Sequence, residues 1–179
     1  MKKLKLHELG RISTEEYKQV DELPIVFVLD NIRSLNNVGS AFRTADAFRV
    51  SKIYLAGITG QPPHREIQKT ALGATESVDW EYNKNTVDLI TQLKNEGYEI
   101  LVIEQTSKSA ALGTFLPKED RKYCLVFGNE VEGVSESLLE LADQALEIPQ
   151  SGTKHSLNVA VCIGIVAWHF VQNWRGKNI

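Results

Sequence analysis

An α/β fold, with a mostly parallel sheet and helices on both faces, is what the sequence predicts. Short apolar, β-branched runs such as Ile25-Val26-Phe27-Val28-Leu29 read as strands covered on both sides. Between them stand segments with apolar residues at helical spacing, as at Ala41, Phe42, Ala45 and Phe48. Strand and helix signals alternate along the chain with no repeat, linker or low-complexity tract, which is the pattern of βαβ units.

The elements follow in order. Ser13-Thr14-Glu15-Glu16 is a capping box and predicts a two-turn helix that ends before Pro24. Residues 1–23 are therefore expected to form a short N-terminal helical arm, and residues 24–179 a single domain. A strand at 25–29 leads to a polar loop at 30–38, a helix at 39–48 and a second strand at 53–55. A loop at 57–64 precedes a short helix at 65–72 and a strand at 77–82. A helix over 86–95 is closed by Gly97, and strands follow at 98–103 and 123–127. A helix at 135–142, a strand end at 146–149 and a long apolar helix at 156–172 complete the chain.

Composition excludes several classes. With 179 residues, 42% hydrophobic and 24% charged, the chain is ordinary globular protein. Such a length buries about two thirds of the unfolded surface and needs no disulfide or metal. Cys124 and Cys162 stand alone in apolar runs, with no CxxC and no Cys/His cluster, so no metal site is expected and reduced thiols suit the cytoplasm. Met1-Lys2-Lys3-Leu4-Lys5 is not followed by an apolar run, so it is not read as a signal peptide. The stretch from Leu157 to Val171 is interrupted by Asn158, Gly164 and His169 and is too short to span a bilayer. Net charge is −3, but residues 1–75 carry +3 and residues 76–179 carry −6, so a polyanionic partner would be met by the first half.

In open parallel sheets, ligands bind beyond the carboxyl ends of the strands, which singles out the loops at 30–38, 128–135 and 149–156. No P-loop, GxGxxG or GxSxG motif is present, and His7, His64, His155 and His169 show no ligand pairing. In the first loop, Asn37 falls where a helix N-cap would be. Arg33 and Arg43 suit phosphate through their guanidinium forks, although Arg43 could instead pair Asp46 on the helix surface. The second loop, Gly128-Asn129-Glu130-Val131-Glu132-Gly133-Val134-Ser135, places a carboxylate between two glycines, and Gly128 permits close backbone approach to a ligand. In the third, Ser156 reads as an N-cap, and Asn158 as an amide on a buried first turn that orders a neighbouring loop.

Taken together, N(x)5R followed by TADAF, then GNEVEGVS, then IPxxGxxxSLNVAV resemble the three motifs of the SpoU/TrmH group of SPOUT RNA methyltransferases, in family order over residues 25–170. The resemblance implies an α/β fold with a C-terminal trefoil knot, a homodimer, and S-adenosyl-L-methionine as cofactor. It also implies 2′-O-ribose methylation of structured RNA, with tRNA favoured over rRNA because the chain is small. By motif position it assigns catalytic roles to Asn37, Arg43, Glu130, Ser156 and Asn158, and cofactor contacts to Thr106, Gly128, Ile148 and Leu157. Arg33, His64, Arg65 and Lys69 are expected to face RNA, the last three within a segment similar to one near the RNA-binding face of some members. Two other readings compete: a catalytically inactive RNA-binding protein of the same fold, and an enzyme that methylates a base nitrogen.

Overall fold

The computed structural model describes residues 1–5, 8–10, 12–154 and 156–174. His7 and His155 lie outside the described residues. The element order is α1 (Thr14–Tyr17), β1 (Leu23–Asp30), α2 (Leu35–Ala47), β2 (Val50–Ala56), α3 (Arg65–Ala71), α4 (Ala74–Ser77), β3 (Trp80–Asn83), α5 (Thr86–Asn95) and β4 (Tyr98–Ile103). Then come β5 (Ala110–Ala111), a 3₁₀ turn (Leu112–Thr114), β6 (Lys122–Phe127), α6 (Glu136–Leu141), β7 (Gln144–Glu147) and α7 (Val159–Asn173).

The sheet runs β3-β2-β1-β6-β4-β7-β5, and every pairing in it is parallel. From β1 the chain steps outward through β2 and β3, then returns to build the other half, with β6 set between β1 and β4. The direction of winding therefore reverses at the β1/β6 border, and the loops after these two strands emerge side by side.

Side chains alternate across the sheet and fill two cores. On one face Ile25, Phe27, Leu29, Leu125 and Phe127 pack with α2 and α7; on the other Val26, Val28, Ile100, Val102 and Val126 pack with α5 and α6. The larger core contains an aromatic cluster. Phe170 of α7 lies 5.5 Å from Phe115 and 5.4 Å from Tyr123 between ring centroids. Helices α2 and α3 approach closely because Gly39 has no side chain: a Cβ there would meet Thr70 and the Ile67 carbonyl.

Several boundaries differ from the sequence reading. The N-terminal helix is one turn, although its capping box is complete, and Tyr17 from it is buried in the larger core. Helix α2 starts four residues earlier than expected, because the Ser34 hydroxyl, not Asn37, accepts the first free amide. The expected strand at 77–82 is instead the turn of α4 followed by β3, since Gly73 at φ 92° starts a new helical turn. Helix α7 is capped by Asn158 and not by Ser156, which lies in the preceding loop. Strand β5 is too short to leave a periodic signal.

Phe170 is fully buried among these rings. Phe170→Ala should destabilise the protein by about 3–5 kcal/mol through lost transfer energy and the cavity left behind. Urea unfolding with an unchanged midpoint would show that this cluster does not hold α7 on the sheet.

Candidate functional site

The loops after β4, β6 and β7, with the start of α7, meet above the carboxyl edge of the sheet and line a cavity of about 630 Å³. That is a size that suits a small organic ligand, for which clefts of about 300–1,000 Å³ are usual. Thr106, Gly128, Ile148 and Leu157, expected to contact a cofactor, all line it, as do Glu130 and Ser156. The charged side chains among the described lining residues are Glu104, Glu130, Glu132 and Glu147, with no lysine or arginine. Glu104 stiffens the wall: its Oε1 accepts from the Gln105 amide at 2.9 Å and its Oε2 from the Val134 amide at 3.0 Å.

Gly128 lines the cavity and also has a purpose within its own loop. A Cβ there would run into the Gly133–Val134 peptide, so the absent side chain lets the 128–134 loop fold on itself. No ligand is needed to explain this glycine.

At the lip of the cavity, Glu130 reaches across to the loop after β1. Its Oε2 accepts from the Arg33 amide at 3.0 Å, and its Oε1 from the Ser34 amide at 3.1 Å and the Asn37 side chain at 3.0 Å. The oxygen of Asn37 in turn accepts from the Asn158 side-chain amide at 3.2 Å. Asn158 uses its own oxygen to cap α7, accepting from the Ala160 amide at 2.9 Å and the Val161 amide at 3.3 Å. The turn after β6, the first turn of α2 and the N-cap of α7 thus contribute to one relay, Glu130–Asn37–Asn158. Asn158 does order a neighbouring segment, the first turn of α2, but from an exposed N-cap position just ahead of α7.

Partial burial pushes the Glu130 carboxyl up. The hydrogen bonds from Arg33, from its own backbone, from Asn37 and from Ser34 outweigh this and hold it below the ordinary glutamate range.

Arg43 does not join the relay. It lies six positions after Asn37 on α2, which places the two about 120° apart around the helix and about 9 Å along it. Arg43 lies exposed in a hollow of about 440 Å³ with Ser40, Thr44, Phe48, Lys69 and Thr70. It makes no pair with Asp46, whose carboxylate accepts from the Ser77 hydroxyl. Arg33, His64, Arg65 and Lys69 are all exposed. His64 also caps α3, its Nδ1 accepting from the Glu66 amide at 3.2 Å. Sequence reasoning missed Asn31, Asn129 and Thr59. Thr59 is buried, donates to the Leu29 carbonyl at 2.8 Å and accepts from the Ile32 amide at 2.9 Å, so it braces the start of the first loop. A lone threonine in a loop carries no sequence signal for such a brace. No group of three metal-binding side chains exists among the described residues, and no described helix is long and apolar enough to cross a membrane.

Because the folded Glu130 carboxyl titrates lower than an unfolded one, its stabilising contribution is complete above the unfolded value, near about pH 4.3, and disappears as pH falls through the folded value. Glu130→Gln should flatten the dependence of stability on pH below about pH 5. Urea midpoints with equal pH slopes in both proteins would contradict the hydrogen-bonded geometry.

Residues 24–168 match the family model described as the SpoU rRNA Methylase family. The chain is 30% identical over 149 residues to a 23S rRNA (guanosine-2′-O-)-methyltransferase of Neisseria meningitidis, covering 83% of this chain and 58% of that protein. To a tRNA (guanosine(18)-2′-O)-methyltransferase of Aquifex aeolicus it is 31% identical over 164 residues, covering 87% of this chain and 72% of the relative. The chain therefore spans less than two thirds of the Neisseria protein. Among solved structures, it is similar to an AdoMet-bound rRNA methyltransferase from Sinorhizobium meliloti, with a TM-score of 0.79 at 26% identity over 90% of this chain and 61% of that one. Three motifs in order, a parallel sheet with the site at its winding reversal, and these likenesses lead to one conclusion: the chain belongs to the SpoU family of RNA methylases.

Proposed function

We propose that the chain is an S-adenosyl-L-methionine-dependent RNA 2′-O-ribose methyltransferase. The observation that carries this reading is the Glu130–Asn37–Asn158 relay at the lip of an acidic cavity. The residues present fit the cofactor. A cavity lined by Glu104, Glu130, Glu132 and Glu147 favours a sulfonium and an ammonium and disfavours a polyphosphate. Thr106, Gly128, Ile148 and Leu157 would hold it, mostly through backbone. When bound, S-adenosyl-L-methionine supplies an electrophilic methyl group.

The remaining work falls to this chain. Glu130 fixes the loop after β1 and holds Asn37, Asn37 in turn holds Asn158, and Ser156 lines the cavity together with Glu130. Their task is to aim a ribose hydroxyl along the line of attack, a positioning effect that can supply several kcal/mol. The hollow with Arg43 and Lys69 suits the phosphate next to that ribose, with Arg33, His64 and Arg65 extending the contact.

The same reading includes a homodimer and a C-terminal knot. Val161, Ile165 and Trp168 form an exposed stripe on α7, 51%, 38% and 53% accessible, at spacings of four and three residues. Trp168 packs on Phe48, at 6.0 Å between ring centroids, and Phe48 lines the Arg43 hollow. Pairing of this face with a second copy accounts for Arg43 lying away from the relay: Arg43 of one copy would serve the cavity of the other. The knot is carried over from the resemblance of the three motifs to the family. Both tRNA and rRNA enzymes stand among the relatives, and tRNA is the substrate we propose first. A cytoplasmic location accords with Cys124 and Cys162, both unpaired, with burial raising both thiols.

Methyl transfer from labelled cofactor to total RNA, followed by nucleoside analysis, tests the reading; a labelled base in place of a labelled ribose would overturn it. Arg43→Lys keeps the charge but loses the planar fork. It should lower turnover on the order of a hundredfold, as expected for about 1 Å of misplacement, with cofactor affinity unchanged. Near-native turnover would make Arg43 something other than an orienting group. Trp168→Asp should turn a dimer into a monomer in light scattering, and a wild-type protein of single-chain mass would remove the dimer.

A further inference from the structure

Two asparagines that the relay does not use, Asn31 and Asn129, sit beneath it. Asn129 is 8% exposed and spends its whole carboxamide inside the protein. Its Nδ2 donates to the Asn31 carbonyl at 2.7 Å, across the border between β1 and β6. Its Oδ1 accepts from the Val131 amide at 2.8 Å and the Glu132 amide at 3.1 Å. The Asn129 and Gly133 backbones also bond each other in both directions, at 3.1 and 2.9 Å, so the turn that presents Glu130 is closed.

The receiving side is equally fixed. Asn31 takes a left-handed φ of 56°, which asparagine tolerates better than most residues. Its Oδ1 accepts from the Ile58 amide at 3.1 Å, and its Nδ2 donates to Asp30 at 3.0 Å. Asn129 therefore joins two locked turns one residue ahead of Glu130. Glutamate is a flexible side chain, and its carboxylate meets the Arg33 and Ser34 amides together only if the spacing of those turns is set.

We propose that Asn129 is a positioning residue, which holds the turn after β6 against Asn31 so that the Glu130 carboxylate reaches Arg33, Ser34 and Asn37. This role rests on the proposed reading of Glu130–Asn37–Asn158 as the reaction-site relay. The chemistry at position 129 is demanding: one side chain must donate to a carbonyl and accept from two amides. A carboxamide does both. A carboxylate of the same shape keeps the acceptors, loses the donor and sets charge against the Asn31 carbonyl.

The test is Asn129→Asp, alone and combined with Glu130→Gln, in single-turnover methyl transfer with the full chain. The expected result is a loss on the order of a hundredfold in the chemical step with KM for the cofactor little changed, and a much smaller loss when Glu130 is already Gln. In parallel, carboxyl ¹³C NMR should show Glu130 titrating below the ordinary range in the wild type and moving up in Asn129→Asp. Asn31→Gly keeps the receiving carbonyl and tolerates the backbone angle while releasing the Ile58 and Asp30 contacts. It should shift both readouts in the same direction and stands in if Asn129→Asp fails to fold. A wild-type rate in the variant, an equal loss in both Glu130 backgrounds, or an unmoved Glu130 titration would overturn the assignment. If the wild type transfers no methyl group to RNA, the enzyme reading falls, and the titration still decides the role of Asn129.

Discussion

The candidate site depends on one carboxylate reaching across a border between strands. Glu130 leaves the turn after β6 and takes two backbone amides and one side-chain amide from the segment after β1. Charge-assisted bonds of this kind are roughly twice as strong as neutral ones. They also fall at the first turn of α2, where the helix dipole favours negative charge. Without this carboxylate, the Arg33 and Ser34 amides and the Asn37 Nδ2 lose an acceptor, and the Asn37 side chain keeps only its contact with Asn158. The sheet order matters for the same reason: only because β6 lies next to β1 do residues 97 positions apart in sequence meet.

The site divides its charges. Glutamates line the cavity, whereas Arg43 and Lys69 line the hollow between α2 and α3. A cation and a polyanion would thus find separate places, and each region would repel the other's ligand. The charge imbalance between the two halves of the sequence expresses this division. Its basic half folds into α2 and α3, and its acidic half supplies the loops after β4, β6 and β7.

Strands and helices with strong periodicity were legible to within a few residues, and the helix at 86–95 and the strand at 98–103 to the residue. Errors fell where a cap competed with a neighbour of similar chemistry. Ser34 displaced Asn37, and Asn158 displaced Ser156, because both members of each pair can cap and only the chain path selects one. The three loops were found from strand ends and motif residues alone. The connection between them was not, since the Glu130 contacts span more than 90 positions and leave no local pattern. Gly128 shows a further limit: its need for a missing side chain was evident, but the group that occupies the space was its own loop.

Asn158 belongs to the helix and to the relay at once. One end of its side chain caps the first turn of α7, and the other holds Asn37. That turn follows a run of exposed residues, so it is among the easiest parts of α7 to fray. Each fraying event releases Asn37 while Phe170 and the rest of the core stay in place. The geometry of the mouth therefore has its own melting equilibrium, set by one helical turn and lying below that of the fold, so heat would disarm the site in molecules that are still folded.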